Sequence, residues 1–321
     1  MHRPHIGIDL LGSDRSPEEL LPSLVRFSET EGKELHLTLF AKSDHFKGVS
    51  KTPALTPFPV EEEITMEDDP LVAFRRKKEA SLCKGIQLLH EHKIDAFISA
   101  GNTGALLACS KLTLPMLSGI LRPALLTLLP VKNKKIAVLD VGANIHCKAE
   151  HLFQFALMGI AYQKCQGVPR PVVGLLNIGT EAKKGTPQVR EAYEQLLALN
   201  HKVKGQPPIF LGNVEGRDAF KGEIDVLVTD GFTGNIFLKT AEGIASVILD
   251  QLAGSPLQDS LRKELHYEEY PGAILCGVEG IVVKCHGNST AQALINSIRG
   301  VIPLIQNSFL KNIKMELDLL L

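Results

Sequence analysis

Two strand-like runs end in nearly the same turn. Residues 97–105 read FISAGNTGA, and residues 224–235 read IDVLVTDGFTGN. Each closes on glycine and a short hydrogen-bonding side chain where a helical pattern starts. Glycine lets the backbone take positive φ and approach a ligand closely, and successive N–H groups at a helix start attract an anion. Four further strand ends have the same character: LDVGAN, LNIGTEAKKG, GNVEGRD and KCHGNS. An α/β fold needs tight strand-to-helix turns in any case, so one such turn says little. Six along one sheet edge point to a polar cleft suited to phosphate.

Side chains in these loops leave several roles open. His286 could donate to a developing oxyanion, shuttle a proton, or simply bond a neighbouring carbonyl. Lys183 and Lys184 could pair with phosphate or stay solvated. Asp230 and Arg217 suit either a ligand site or a structural ion pair. His146, Cys147, Glu150 and His151 show the spacing HxxxEH, which is neither HExxH nor HxxEH, so metal binding is disfavoured. Ser99, Ser289 and Cys285 lie in no GxSxG or Cys–His signature, and covalent catalysis is disfavoured with them. The first turn, LGSDRS, has one glycine where a dinucleotide fingerprint needs three, and no P-loop is present.

The elements that must position these loops alternate between strand and helix. Strands are expected at 6–9, 35–40, 94–99, 124–129, 135–140, 172–177, 209–211, 225–229 and 280–284. Ser16 is placed to cap a helix that opens on Pro17. A long helix is expected from Asp69-Pro70 to about His90, with Arg75, Arg76, Lys77 and Lys78 on its polar face. Others follow at 103–112, up to Cys165, at 188–199, up to Leu252 and at about 290–310, with Leu319–Leu321 as a frayed apolar tail. This alternation implies a mostly parallel α/β sheet covered by helices on both faces. No composition shift marks a boundary, so residues 1–321 read as a single α/β domain, with two lobes around a cleft left open.

Composition sets outer limits. The 321 residues are 44% hydrophobic and 22% charged, enough apolar surface for a sizeable core. A net charge of −1, no tryptophan and 5% aromatics argue against nucleic acid as a partner. The six cysteines form no CxxC pair, and Asp9 interrupts the only N-terminal apolar run, so the expectation is buried thiols in a reducing cytoplasm. No run reaches the roughly eighteen apolar residues of a membrane span.

The loops also carry a resemblance. SAGNTGALLA (99–108), LDVGAN (139–144), EHLFQFALMG (150–159), GLLNIGTEAKKG (174–185), GNVEGRD (212–218), DGFTGNIFLKTAEG (230–243) and YEEYPGA (267–273) are similar, in order and over nearly the whole chain, to the PlsX family of bacterial phosphate acyltransferases. The resemblance implies a doubly wound αβα fold like the isocitrate and isopropylmalate dehydrogenases, without their chemistry. It implies a homodimer; no cofactor and no metal are expected. It also implies transfer of a fatty acyl group from acyl carrier protein to inorganic phosphate, giving acyl phosphate for phospholipid synthesis.

By motif position, Gly101, Asn102, Thr103 and Gly104, with Thr233, Gly234 and Asn235, would hold phosphate or the carbonyl oxygen, as opposite walls of one crevice. Lys184 would neutralise phosphate, and Asn235 or His286 would polarise the thioester. Asn144, Asn213, Arg217 and Asp230 complete the expected substrate-binding set. Four departures stand out. The first turn is Gly12-Ser13-Asp14-Arg15 where the family has Gly-Gly-Asp-His, and His146 and Ala149 replace an Asp and a Pro. HGNST replaces His-Gly-Ser-Ser-Asn, and the stretch over about 244–266, which in relatives is a longer apolar hairpin thought to touch the membrane, is shortened here. Peripheral contact with the membrane's inner face is a further expectation of the resemblance. The other readings are a phosphotransacetylase-like enzyme using short acyl-CoA, a decarboxylating dehydrogenase and a non-catalytic scaffold. An acidic carrier protein calls for a basic docking surface, for which residues 75–78 are the candidate.

Overall fold

In the computed structural model, described for residues 3–201, 208–255, 258, 261 and 272–320, strands and helices alternate. In order they are β1 (His5–Asp9), α1 (Pro17–Glu29), β2 (His36–Ala41), β3 (Leu55–Pro59), α2 (Pro70–Arg76), α3 (Ser81–His90), β4 (Ala96–Ser99), α4 (Thr103–Thr113), β5 (Ala124–Val131), β6 (Lys134–Leu139), α5 (Ala149–Cys165), β7 (Val173–Leu176), α6 (Pro187–His201), β8 (Phe210–Val214), β9 (Val226–Val228), α7 (Gly231–Gln251), β10 (Ala273–Cys276), β11 (Ile281–Lys284), α8 (Ala291–Gln306) and α9 (Phe309–Leu320). The chain divides into two compact units, Met1–Met116 with Tyr267–Leu310 and Leu117–His266 with Lys311–Leu321.

In the first unit the strand order is β3-β2-β1-β4-β11-β10. All neighbours are parallel except β10, which runs antiparallel to β11. The order reverses between β1 and β4, the kind of switch point where the loops leaving the carboxyl ends diverge and open a crevice. Asp9, Ser99 and Lys284 sit side by side at that end. In the second unit the order is β5-β6-β9-β7-β8, with β5 and β6 an antiparallel pair and the rest parallel. The central strands are apolar without alternation, as FIS in β4 and VLV in β9 show, because helices cover both faces. The β3 strand, at one end of the order, carries Pro57 and Pro59, which a central strand would not tolerate.

The structure corrects four expectations. The helix from 70 to 90 is two helices. Glu62 draws the chain away at the break: its carbonyl accepts the Ser81 N–H at 3.4 Å and its carboxylate accepts the Glu79 N–H at 3.2 Å. The expected terminal helix also splits, at Ser308, which takes φ of 54°. Beyond it α9 continues because Phe309, Ile313 and Leu317 bury one stripe, so Leu319 and Leu320 are helical and not a frayed tail. Ser16 precedes α1 but makes no capping bond; its hydroxyl serves Glu18 instead. The β10 strand was not expected. Residues 267–271 of the YEEYPGA motif and most of the shortened stretch after residue 255 lie outside the described residues.

One close approach in the first unit is testable. An added Cβ at Gly85 of α3 would fall 1.9 Å from the buried Phe97 ring. Alanine's helix propensity gives back only about 1 kcal/mol, while forcing a buried ring aside costs about 1–3 kcal/mol or more. Gly85→Ala is expected to lower stability by about 2 kcal/mol, read as a lower urea midpoint at unchanged slope.

Candidate active site

In the first unit the carboxyl edge of β1, β4 and β11 gathers four loops. Gly12, at φ of +67°, lies against the Ile64 carbonyl, where a side chain would not fit. The Asp14 N–H bonds the Gly287 carbonyl at 2.8 Å, and Arg15 reaches the Asn288 carbonyl. Beneath them lies Asp9, which accepts the Ser99 hydroxyl at 2.9 Å and the Leu11 N–H at 3.1 Å. Ser99 in turn accepts the Gly101 N–H at 3.1 Å. Burial pushes the Asp9 carboxyl up to about 6, against the Ser81, Leu11 and Ser99 hydrogen bonds and the nearby Lys284, which pull it down. Lys284 itself donates to the carbonyls of Ala100 and Cys285.

The elbow above this aspartate starts α4. The Asn102 side chain caps the helix through the Ala105 N–H at 3.0 Å. Its amide nitrogen is shared among the carbonyls of Thr65, Met66 and Asp68 at 3.1–3.2 Å. Asn102 is therefore buried and engaged, and ties the 65–68 loop to the elbow. Thr103 and Gly104 are only half-buried, and the first turn of α4 holds no acidic residue. His286 is half-buried on the same edge, and its carbonyl accepts the Ser289 N–H.

The second unit repeats the device with Asp140. This carboxylate, wholly buried, accepts the N–H groups of Leu125, Gly142, Ala143 and Asn144 and the Asn144 side-chain amide, all between 2.6 and 3.2 Å. Burial pushes its pKa up and these donors oppose the rise. Asn144, with its amide also on the Pro123 carbonyl, is a brace of this turn, and its carbonyl takes the Gly231 N–H. Glycine is required at 234, where a Cβ would lie 2.0 Å from the Asp140 carbonyl oxygen.

The α7 elbow differs from the α4 elbow in charge. Asp230 caps α7, accepting the Thr233 N–H at 2.8 Å and the Thr233 hydroxyl at 3.0 Å. Asn235 is exposed and gives one amide hydrogen to the Val141 carbonyl at 3.1 Å. On the same unit's edge, Asn213 donates to the Glu181 carbonyl and Asn177 to the Lys184 carbonyl, so two asparagines shape the loop that carries Lys184. The Lys184 ammonium is half exposed and only 3.9 Å from Glu181, a loose pair. Arg217, 82% exposed, pairs with Glu215 at 2.9 Å and lies 3.8 Å from Asp218.

Of the expected residues, Gly101, Asn102, Thr103, Gly104 and His286 thus lie on the first unit's edge. Asn144, Lys184, Asn213, Arg217, Asp230, Thr233, Gly234 and Asn235 belong to the second unit. The two organising aspartates were missed as site residues. The signal was present: each ends an apolar strand two or three residues before a glycine, where a carboxylate can bond its own turn. His151 Nδ1 accepts the Lys148 N–H, and no metal-binding group of His, Cys, Asp or Glu occurs among the described residues. Burial holds the thiols of Cys147, to about 12, and Cys285 above their ordinary value, which suits neither as a nucleophile.

Comparison with known proteins decides the family. Residues 5–312 match the model of the fatty acid synthesis protein family. The chain is 41% identical over 313 residues to a phosphate acyltransferase of Chlamydia abortus, covering 94% of this chain and 95% of the relative. It is 40% identical over 333 residues to one of Clostridium tetani, covering 97% of each. The chain belongs to the phosphate acyltransferase family. It is thus an acyltransferase by descent, in line with the resemblance carried by its loops. Among solved structures it is similar to a phosphotransacetylase from Streptococcus pyogenes (TM-score 0.63, 16% identity, 96% and 95% of the two chains). It is also similar to a 4-hydroxythreonine-4-phosphate dehydrogenase from Klebsiella pneumoniae (TM-score 0.54, 14% identity, 94% and 100%). At these identities the likeness concerns the fold, and it agrees with the dehydrogenase-like α/β class expected from sequence.

The aspartates lead to two predictions. The folded pKa of Asp9 lies above its ordinary value of 3.8, so between about 4 and 6 the folded state holds a proton that the unfolded state has lost. Stability from this group therefore falls as pH rises through that window, by at most about 3 kcal/mol. The stability advantage of the wild type over Asp9→Asn should shrink from pH 4 to pH 6.5 in urea titrations; a constant difference would contradict the buried, proton-holding carboxyl. Asp140→Asn replaces an acceptor of five hydrogen bonds by a group half of which is a donor, and should cost about 2–4 kcal/mol, with matching loss of protection at the Ala143 and Asn144 amides in hydrogen exchange.

Proposed function

We propose that this acyltransferase moves a fatty acyl group from the thioester of acyl carrier protein to inorganic phosphate. A phosphate oxygen attacks the thioester carbonyl, the C–S bond breaks, the carrier thiolate leaves and takes up a proton, and acyl phosphate remains. The observation that carries this reading is the uncharged, glycine-flanked start of α4 in a chain whose near-full-length relatives are phosphate acyltransferases. Phosphate is an anionic nucleophile already, so no catalytic serine is needed, and orientation alone lowers the barrier by several kcal/mol, up to about 7–11.

Charge decides which elbow receives the anion. A helix N-terminus stabilises an anion by about 0.3–1 kcal/mol, and up to about 2 when partly buried. At α7 the Asp230 carboxylate already occupies that position. At α4 the cap is the neutral Asn102, and the field is left for a ligand. We assign phosphate to the N–H groups of Thr103 and Gly104 and the Thr103 hydroxyl, with Gly101 giving close backbone approach. By motif position alone, the loosely paired Lys184 is carried over as the cation for the substrate phosphate. Likewise by motif, Asn235, with its second amide hydrogen, or His286 is carried over as the donor that polarises the thioester. Thr233, held by Asp230, and Gly234 set the position of Asn235. Asn144 and Asn213 brace the loops, and Arg217 draws anions from solvent.

For the carrier protein, α2 exposes Arg75 and Arg76 beside Leu71 and Val72, a basic and apolar surface suited to an acidic partner. Lys77 drops out, because it bonds Asp68 at 2.6 Å and the Glu63 carbonyl. Lys78 lies over the Phe74 ring. The same reading carries a homodimer and peripheral membrane contact. The apolar residues α7 exposes, among them Phe232, Ile236, Ile244 and Val247, are suited to either. Among the described residues no helix is long and apolar enough to cross a membrane.

Hydroxylamine trapping of acyl phosphate tests the reaction with long-chain acyl carrier protein and with acetyl-CoA. Product from the carrier thioester is expected; product from acetyl-CoA alone would favour the short-chain reading, which the phosphotransacetylase-like fold keeps in view. Thr103→Val should raise KM for phosphate about tenfold, the loss of one hydrogen bond to a charged group. Asn235→Ala should lower kcat by about 10²–10³ as for loss of an oxyanion donor. If Asn235→Ala and Lys184→Ala both keep full activity, the site assignment fails. Reversing Arg75 and Arg76 to Glu should raise KM for the carrier thioester at low salt and leave that for phosphate unchanged.

A further inference from the structure

Two thiols in the first unit face each other. Cys83, in the first turn of α3, and Cys109, in α4, place their sulfur atoms 3.3 Å apart. Both are buried, and the proposed reaction uses neither. The helices they join also carry the elbow. Ser81, two residues before Cys83, donates to Asp9, and α4 begins at Asn102, whose side chain holds the Ala105 N–H. Forming a disulfide, with its S–S bond of about 2.05 Å, requires the sulfurs to close by about 1.3 Å from their present 3.3 Å.

We propose that Cys83 and Cys109 form a reversible dithiol–disulfide pair whose oxidation loosens the α4 elbow. The oxidant is a small peroxide, able to enter where a protein disulfide could not. The Cys83 thiolate attacks one peroxide oxygen, the O–O bond breaks, hydroxide leaves, and Cys83 becomes a sulfenic acid. The Cys109 sulfur then attacks the Cys83 sulfur, the S–O bond breaks, and the hydroxyl leaves with the Cys109 proton as water. Overall two thiols and one hydrogen peroxide give one disulfide and two waters. Cys83 is suited to the first step because the Cys109 hydrogen bond, ahead of the opposing effect of burial, lowers its pKa; the same bond and burial raise that of Cys109. A thiol such as dithiothreitol reverses the change by exchange.

The link to the elbow rests on the elbow's own hydrogen bonds. Closing the sulfurs draws the first turn of α3 towards α4, against the Ser81–Asp9 and Ser99–Asp9 bonds and the Asn102 cap. Elsewhere Cys285 is bonded to the Ser297 hydroxyl and Cys147 reaches the Asn144 carbonyl.

The test needs no substrate, so its failure is separable from failure of the proposed activity. Folded protein is treated with hydrogen peroxide, quenched, alkylated and mapped by mass spectrometry. Alkylatable thiols should fall from six to four, the mass should drop by about 2 Da for two lost hydrogens, and a Cys83–Cys109 cross-linked peptide should appear. Dithiothreitol should restore all six. Cys109→Ser should instead leave a Cys83 sulfenic acid that dimedone traps, and the small change of sulfur to oxygen keeps the core filled. Amide exchange at Ala105 should speed up at least about tenfold on oxidation of the wild type and not in Cys109→Ser. Six intact thiols after a peroxide dose that oxidises the denatured chain, or a disulfide between another pair, would overturn the pairing. A Cys83–Cys109 disulfide with unchanged exchange at Ala105 would overturn the coupling to the elbow.

Discussion

A carboxylate out of water, held by N–H and O–H groups of its own turn and of neighbouring elements, is the constraint on which each loop edge depends. Asp9 does this in one unit and Asp140 in the other. Asp140 is met by four backbone N–H groups and one amide; Asp9 by two hydroxyls and one N–H, with Lys284 acting through space. Burial pushes both carboxyls up, and in each case these donors oppose the rise. Such a network satisfies itself only in one geometry, because leaving any buried donor or acceptor unmet costs about 1–3 kcal/mol. The turns are thereby held before any ligand arrives, which is what a site needs if phosphate is to meet the thioester in a reactive pose.

The two elbows look alike as text and differ as electrostatic objects. Both begin a helix on a short polar cap followed by glycines. One cap is an amide and the other a carboxylate, and a carboxylate at a helix start has already taken what the helix field offers. One chemical difference at a single position therefore separates an elbow with an uncharged cap from one whose carboxylate cap already meets the helix field. The same logic divides the polar residues. Asn102, Asn144 and Asn213 spend their amides on backbone carbonyls of neighbouring loops, whereas Thr103, Lys184 and Asn235 keep exposure and donors to spare.

Most of the strand and helix alternation was legible, since continuous apolar runs flanked by glycine, proline and capping residues leave few other choices. The failures share one cause. The break at Lys77–Ala80 comes from Glu62, which is distant in sequence, and no periodicity within 70–90 reports it. The continuation into α9 depends on a surface for Phe309, Ile313 and Leu317 to bury against. Likewise Lys77 looked like one of four equivalent surface cations, until its ammonium was found on Asp68.

The sequence by itself determined the class of fold, the family, and the kind of chemistry at the loop edges. Composition, periodicity and the order of Gly-Asn-Thr motifs are local properties, and descent preserves them in order. Which side chains are spent and which are free was decided by tertiary structure alone. An asparagine's letter is the same whether its amide holds a carbonyl 37 residues away, as Asn102 holds Thr65, or faces solvent. That allocation depends on distances of about 3 Å between groups remote in the chain, and only the packed sheet and its loops bring them within that range.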